Sequence, residues 1–100
     1  MNITILTPDK EIFNGQIVSI KVPGSLGQFQ VLKNHAPIVS SLEAGEVSLV
    51  TDGGEYRYYD DESGTIKNDS MPGKKIKFDI GGGFIEVLNN EVSLLVRGKK

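Results

Sequence analysis

His35 is the only histidine of the chain, and Ser40 and Ser41 follow it within a few residues. Serine near histidine is the pairing of nucleophilic hydrolysis, in which the imidazole takes the hydroxyl proton. That chemistry also needs a carboxylate to orient the imidazole and donors for the oxyanion, and nothing in the sequence marks either. Gly-x-Ser-x-Gly, the turn that exposes a nucleophilic serine, does not occur. A hydrolase built on His35 therefore lacks its partners, and His35 reads as a loop residue that caps, packs or meets another protein. His35-Ala36-Pro37 sets an extended corner, because the residue before a proline is pushed out of the helical region.

Gly81-Gly82-Gly83 has the composition of a phosphate loop. Such a loop needs a helix N-terminus behind it, so that backbone N–H groups face the anion. Phe84-Ile85-Glu86-Val87-Leu88 follows instead, an alternating run that reads as a strand, and no Gly-Lys-Ser/Thr is present. The three glycines are thus structural, forming a bulge or tight corner where backbones approach closely. Asp60–Lys74 is polar and rich in breakers, with Asp60, Asp61, Glu62, Gly64, Asn68, Asp69, Pro72 and Gly73. A calcium loop places glycine sixth and closes on a glutamate. Counted from Asp60, Gly64 falls too early and no glutamate closes the loop, so the stretch reads as a solvated loop. With no cysteine and one histidine, only carboxylates remain for a metal, and none is suitably spaced. No metal site and no cofactor is expected.

Tyr56, Tyr58 and Tyr59 could stack bases, as in an oligonucleotide-binding barrel. Arg57 is the only cation among them and Asp60-Asp61-Glu62 follows at once, so packing in the core or at a sheet edge is the better reading. The formal net charge of -2 supplies no long-range attraction for nucleic acid or anionic lipid. No apolar run reaches the length of a membrane span, and the N-terminus has neither the basic nor the apolar part of a signal peptide. The chain reads as cytosolic and not inserted in a membrane.

The elements that position these residues follow a period of two. Ile3 and Ile5, then Val18, Ile20 and Val22, then Val47 and Leu49 alternate with more polar neighbours. So do Ile76, Phe78 and Ile80, and Val92, Leu94 and Val96. Successive strand residues point to opposite faces, so each run has one core face. Turns separate the runs at Thr7-Pro8-Asp9-Lys10, Pro23–Gly27, Asp52-Gly53-Gly54 and Asn89-Asn90. Asp52-Gly53-Gly54 predicts a hairpin joining Val47–Thr51 to Glu55–Tyr59, and Asn89-Asn90 a two-residue turn joining Phe84–Leu88 to Glu91–Val96. Ala36–Ala44 is β-branched and reads as a strand. The pattern predicts one all-β domain over residues 1–100, a flattened sandwich or barrel of about nine to ten short strands. A chain of 100 residues buries roughly two-thirds of its unfolded surface, enough for one core.

Leu6, Ile17, Ile38 with Val39, Val50, Ile85 with Val87, and Leu95 exceed what one apolar face per sheet requires. Leu26 and Phe29 lie in and after a glycine-rich loop. The excess suggests that part of an outer face docks on a partner.

Three segments have a more specific identity: Leu6-Thr7-Pro8-Asp9 with Phe13-Asn14-Gly15, the run from Val22 to Pro37, and Phe78–Leu88 followed by Val92–Val96. Together they resemble the N-terminal β-sandwich domain of the epsilon subunit of F-type ATP synthase. The likeness covers nearly the whole chain apart from Asp60–Lys74, which looks like an insertion. It implies a non-catalytic subunit of the rotor's central stalk, with the gamma subunit and the c-ring as partners and no nucleic acid. It implies a peripheral position on the cytoplasmic face of a bacterial inner membrane. By position, Gly24, Ser25, Leu26, Gly27, Gln28 and Phe29 correspond to the ring-facing loop. Thr7, His35, Ala36, Pro37, Val39 and Ser40 correspond to the gamma-facing region. The chain ends at Lys100, where the family usually continues into a helical hairpin carrying its inhibitory extension and, in some bacteria, an ATP site. Coupling is therefore the implied role. A small β-barrel that binds a ligand or oligonucleotide remains the alternative.

Overall fold

A computed structural model describes residues 1–60 and 62–98. Asp61, one of the three consecutive acidic residues, and the terminal residues 99–100 lie outside the described part. The described residues form strands and turns: β1 (Asn2–Leu6), β2 (Glu11–Gly24), β3 (Gly27–Leu32), β4 (Ile38–Thr51), β5 (Tyr56–Asp60), β6 (Thr65–Asp69), β7 (Lys75–Leu88) and β8 (Glu91–Gly98). The all-β class holds. The strands number eight because β2, β4 and β7 each run for 14 residues and bend instead of breaking.

The sheet runs β1-β8-β7-β4-β2 and closes on itself through β1–β2 pairing, with β3 added to β2 and β5-β6 continuing past it. Closure leaves few free edges, the usual hazard of an all-β chain. The molecule measures 35 × 31 × 19 Å, a flattened body. Its interior holds Ile3, Ile5, Val47, Leu49, Ile80, Val92, Leu94 and Val96, all from the runs that alternate in the sequence.

Bulges allow the long strands to bend, and they explain departures from simple alternation. In β2 the pairing with β4 shifts between Ile17 and Ser19. Ile17 is therefore buried and Val18 exposed, while Ser19 and Ile20 are both buried. In β7 the pairing with β8 shifts between Ile80 and Gly83, so the three glycines form the expected corner. Gly82 has φ 118°, and a Cβ on Gly83 would collide with the backbone of Leu95 and Val96. The Arg97 guanidinium donates to the Gly81 carbonyl at 3.1 Å and closes the bulge from outside.

Two expectations are corrected. Asp52-Gly53-Gly54 does turn the chain, but β4 and β5 are not a hairpin. β4 pairs with β2 through Thr51, and β5 then pairs with β2 further along, Tyr58 opposite Phe13. Both strands thus lie along β2, and the turn carries the chain from one station to the next. Asp60–Lys74 is not one solvated loop either, since β6 lies within it and pairs with β5 from Tyr56↔Asp69 to Asp60↔Thr65. The Asp60 carboxylate holds that turn, accepting from the Glu62 N–H at 3.2 Å and the Ser63 hydroxyl at 3.1 Å. Further on, buried Thr51 donates its hydroxyl to the Met71 carbonyl at 2.7 Å and accepts the Lys74 N–H at 2.9 Å. The segment lacks a clear signal because its strand is exposed on both faces and so has no period of two.

Candidate functional site

Outward-facing residues of β4, β7, β8 and β1 stand in register across the sheet. One row runs Leu6, Leu95, Phe84, Ser41 through the pairs Leu6↔Leu95, Leu95↔Phe84 and Phe84↔Ser41. The next runs Thr4, Ser93, Glu86, Val39. A third begins Asn2, Glu91, Leu88, beside which Pro37 lines a shallow depression with Val39. Phe84 is 58% exposed, Leu95 55% and Val39 71%. A groove of about 570 Å³ lined by Leu6, Thr7, Pro8, Leu42, Phe84 and Leu95 lies along the first row. Large apolar side chains in adjacent positions, exposed among the described residues, make a contiguous apolar patch.

The expected gamma-facing residues divide on this surface. Thr7, Pro37 and Val39 border the patch. Ser40 does not share the face of Val39, because it is paired with buried Ile85 and points the other way. The Thr7 hydroxyl is occupied within its own turn, accepting from the Lys10 N–H at 3.1 Å and donating to the Lys10 carbonyl at 3.2 Å. His35 is half-buried in the β3–β4 connection, its Nδ1 at 2.7 Å from the Ala36 carbonyl oxygen. Among the described residues no serine or carboxylate is hydrogen-bonded to it. Ala36 is exposed beside it.

The expected ring-facing residues form the tip of the β2–β3 hairpin. Gly24 and Gly27 face each other and Ser25-Leu26 make the turn. Gly27 has φ 125°, which favours glycine, and a Cβ on Gly24 would stand 2.7 Å from the Phe29 ring. Phe29 packs on the core, so it anchors the hairpin from within. Leu26 projects from the tip, wholly exposed at 105%, and Gln28 is exposed as well. The tip adjoins the patch: the Ser25 N–H donates to the Ser41 carbonyl at 3.1 Å and the two hydroxyls lie 2.8 Å apart.

The apolar excess is thus resolved position by position. Leu6, Val39 and Leu95 are outward, Ile17, Ile85 and Val87 are core, and Ile38 and Val50 are half-buried. Phe84 and Leu88 were missed. They alternate with Ile85 and Val87, and that alternation is the signal that could have placed them outside.

The tyrosines differ in depth, Tyr56 being buried and Tyr58 and Tyr59 half-buried. Tyr56 is buried and stacked on Phe13 at 5.3 Å, with Tyr58 tilted against it at 6.1 Å. The Lys10 ammonium sits 4.1 Å from the centre of the Tyr59 ring. Ion pairing with Lys67, at 2.8 Å, holds the Asp60 carboxyl below the usual carboxylate range and raises Lys67 in turn. Among the described residues no group of histidines and carboxylates is placed to hold a metal. No helix of the described residues is long and apolar enough to cross a membrane.

Fold and surface together define the class: a closed, flattened sandwich with exposed apolar side chains in register on one outer sheet face and at one hairpin tip, while Val18, Leu32, Ile66 and Met71 are exposed singly elsewhere. The family model for the ATP synthase delta/epsilon chain β-sandwich domain matches residues 1–70. The ATP synthase epsilon chain of Chlorobaculum tepidum is 38% identical over 91 residues, 91% of this chain and 82% of the relative. That of Leptospira borgpetersenii serovar Hardjo-bovis is 33% identical over 96 residues, 95% of this chain but 59% of the relative. The chain therefore spans about three-fifths of the length of several curated relatives that it matches. A chain in the Euglena gracilis mitochondrial ATP synthase, solved as OSCP/F1/c-ring, has a TM-score of 0.66 at 21% identity, covering 94% of this chain and 48% of that one. At that identity the likeness establishes the fold. This chain belongs to the ATP synthase delta/epsilon family, through its β-sandwich domain.

Proposed function

We propose that this domain is a non-catalytic coupling element of the rotor of an ATP synthase, binding gamma through the outer face of β4-β7-β8-β1 and the c-ring through the β2–β3 tip. The observation that carries the proposal is the exposed row Leu6–Leu95–Phe84, continued by Val39 in the next row. A free sandwich gains nothing from apolar side chains there, whereas a permanent interface commonly buries on the order of 2,000 Å² or more with an apolar centre. Family membership supports the choice of partner, since the relatives are epsilon chains of ATP synthase. In this reading the chain performs no chemistry. It transmits torque between an ion-driven ring and the catalytic head, and it is held at the cytoplasmic face of the membrane by its partners.

A binding titration with the gamma subunit of the same organism tests the assignment. Phe84→Asp places a charge at the centre of the patch and is expected to weaken binding roughly thirtyfold or more, with the fold intact. Pro37→Asp and Val39→Asp at its border are expected to act in the same direction but less. Wild-type affinity in Phe84→Asp would remove gamma from this face.

A further inference from the structure

Asn89 and Asn90 form the two-residue turn between β7 and β8, with φ of 51° and 61°. Two successive positive φ values define the turn for which Asn-Gly is the favoured pair. Asn90 therefore occupies a position where glycine would serve the turn better, and its side chain does something a glycine cannot. Its Oδ1 accepts the Asn34 N–H at 2.7 Å, and its Nδ2 donates to the Asn34 Oδ1 at 3.0 Å. The backbone carbonyl of Asn90 also accepts the Asn2 N–H at 3.0 Å, which fixes the turn against β1. Asn34 itself has φ 65°, again a conformation that suits glycine. The two asparagines are 56 residues apart and use both ends of one amide and the backbone and side chain of the other. Next in the chain stands His35, whose N–H donates to the Leu32 carbonyl at 3.1 Å, followed by Ala36-Pro37 and the outward Val39.

We infer that Asn90 is a positioning residue: through its paired hydrogen bonds with Asn34 it holds the β3–β4 connection in the shape that presents His35–Pro37 beside the apolar face. The inference rests on the proposed gamma-facing role of that face. Without the pair, what holds the Lys33–Pro37 connection among the described residues is its two ends, the His35 N–H to the Leu32 carbonyl and the local contact of His35 Nδ1 with the Ala36 carbonyl. Each association event must then order it, and ordering a loop at an interface subtracts from affinity.

Asn90→Gly separates this role from simple folding, because the variant creates the favoured turn and is expected to be no less stable to heat. In the free chain, amide hydrogen exchange at Asn34 is expected to speed up. Affinity for the gamma subunit is expected to fall roughly three- to tenfold, the scale of one lost hydrogen-bonded pair. Asn90→Asp keeps the acceptor for the Asn34 N–H and is expected to restore Asn34 protection. Phe84→Asp runs beside them as the test of the face itself. Unaltered Asn34 exchange in Asn90→Gly overturns the inference whatever the affinity. Unaltered affinity in Asn90→Gly overturns it as well. If Phe84→Asp weakens binding in that experiment, the docking face survives, and if it does not, the face falls too.

Discussion

Burial raises the Tyr56 phenol above its ordinary 10.0, and the neighbouring Asp69 carboxylate adds to the rise by opposing a second negative charge. The folded state thus keeps the proton in a range where the unfolded chain gives it up. Stability contributed in this way is complete below the ordinary phenol value and is lost as pH rises through the raised one. Tyr56→Phe keeps the ring stacked on Phe13 and removes the ionisation. Thermal denaturation between about pH 9 and 11 is expected to show a shallower alkaline fall in Tm for the variant than for the wild type. Equal falls would place the alkaline sensitivity elsewhere. The same residue marks a limit of sequence reading. Tyr56 and Tyr58 are two apart and share a strand face, so composition alone left them open to core packing or base stacking. Which lies deep depends on Phe13, brought alongside from more than forty residues earlier by β2–β5 pairing. Leu26 was easier to place. A leucine between glycines at a hairpin tip has no core within reach, and it stands fully exposed.

Turns and bulges are written locally, and those elements were legible. Thr7–Lys10, the Asn89-Asn90 turn and the Gly81–Gly83 corner each follow from backbone demands of a few residues. Pairing partners depend on distant chain, and there the local signal misled. Asp52-Gly53-Gly54 predicts a hairpin, yet β2 offers a second free stretch beyond the end of β4, and Phe13 captures β5 there. Gly83 carries the corresponding prediction. A methyl group at this position meets the Leu95 carbonyl and the Val96 backbone, neither of which can turn aside as a side chain can, and φ of 152° is itself unfavourable for alanine. Gly83→Ala is expected to cost about 2–4 kcal/mol in urea denaturation, by prying β8 from β7. It also moves Phe84 and Leu95, the centre of the apolar row, so gamma binding is expected to weaken with it. A loss below about 0.5 kcal/mol would mean the corner is soft and the strands slide past each other.

For the whole molecule the relevant property is that its two proposed surfaces adjoin. The β2–β3 tip is joined to Ser41 by a backbone hydrogen bond and a hydroxyl contact, and Ser41 is the last member of the row that begins at Leu6. A load applied at Leu26 therefore enters the sheet at the edge of the apolar patch proposed to face gamma and crosses it along paired strands. Closure of the sheet through β1–β2 resists shear in the same direction. The two surfaces can nonetheless be separated by mutation, because Leu26 is wholly exposed at the tip and lines neither the groove along the first row nor the depression at Pro37 and Val39. Leu26→Asp in the assembled chain–gamma complex is expected to reduce retention on the c-ring roughly tenfold in co-sedimentation, the loss of one apolar anchor, while the affinity for gamma stays at the wild-type value. Phe84→Asp is expected to give the converse for gamma. Equal retention on the ring with Leu26→Asp would remove the tip from the ring contact, and a parallel loss of gamma binding would make tip and sheet face a single surface serving one partner.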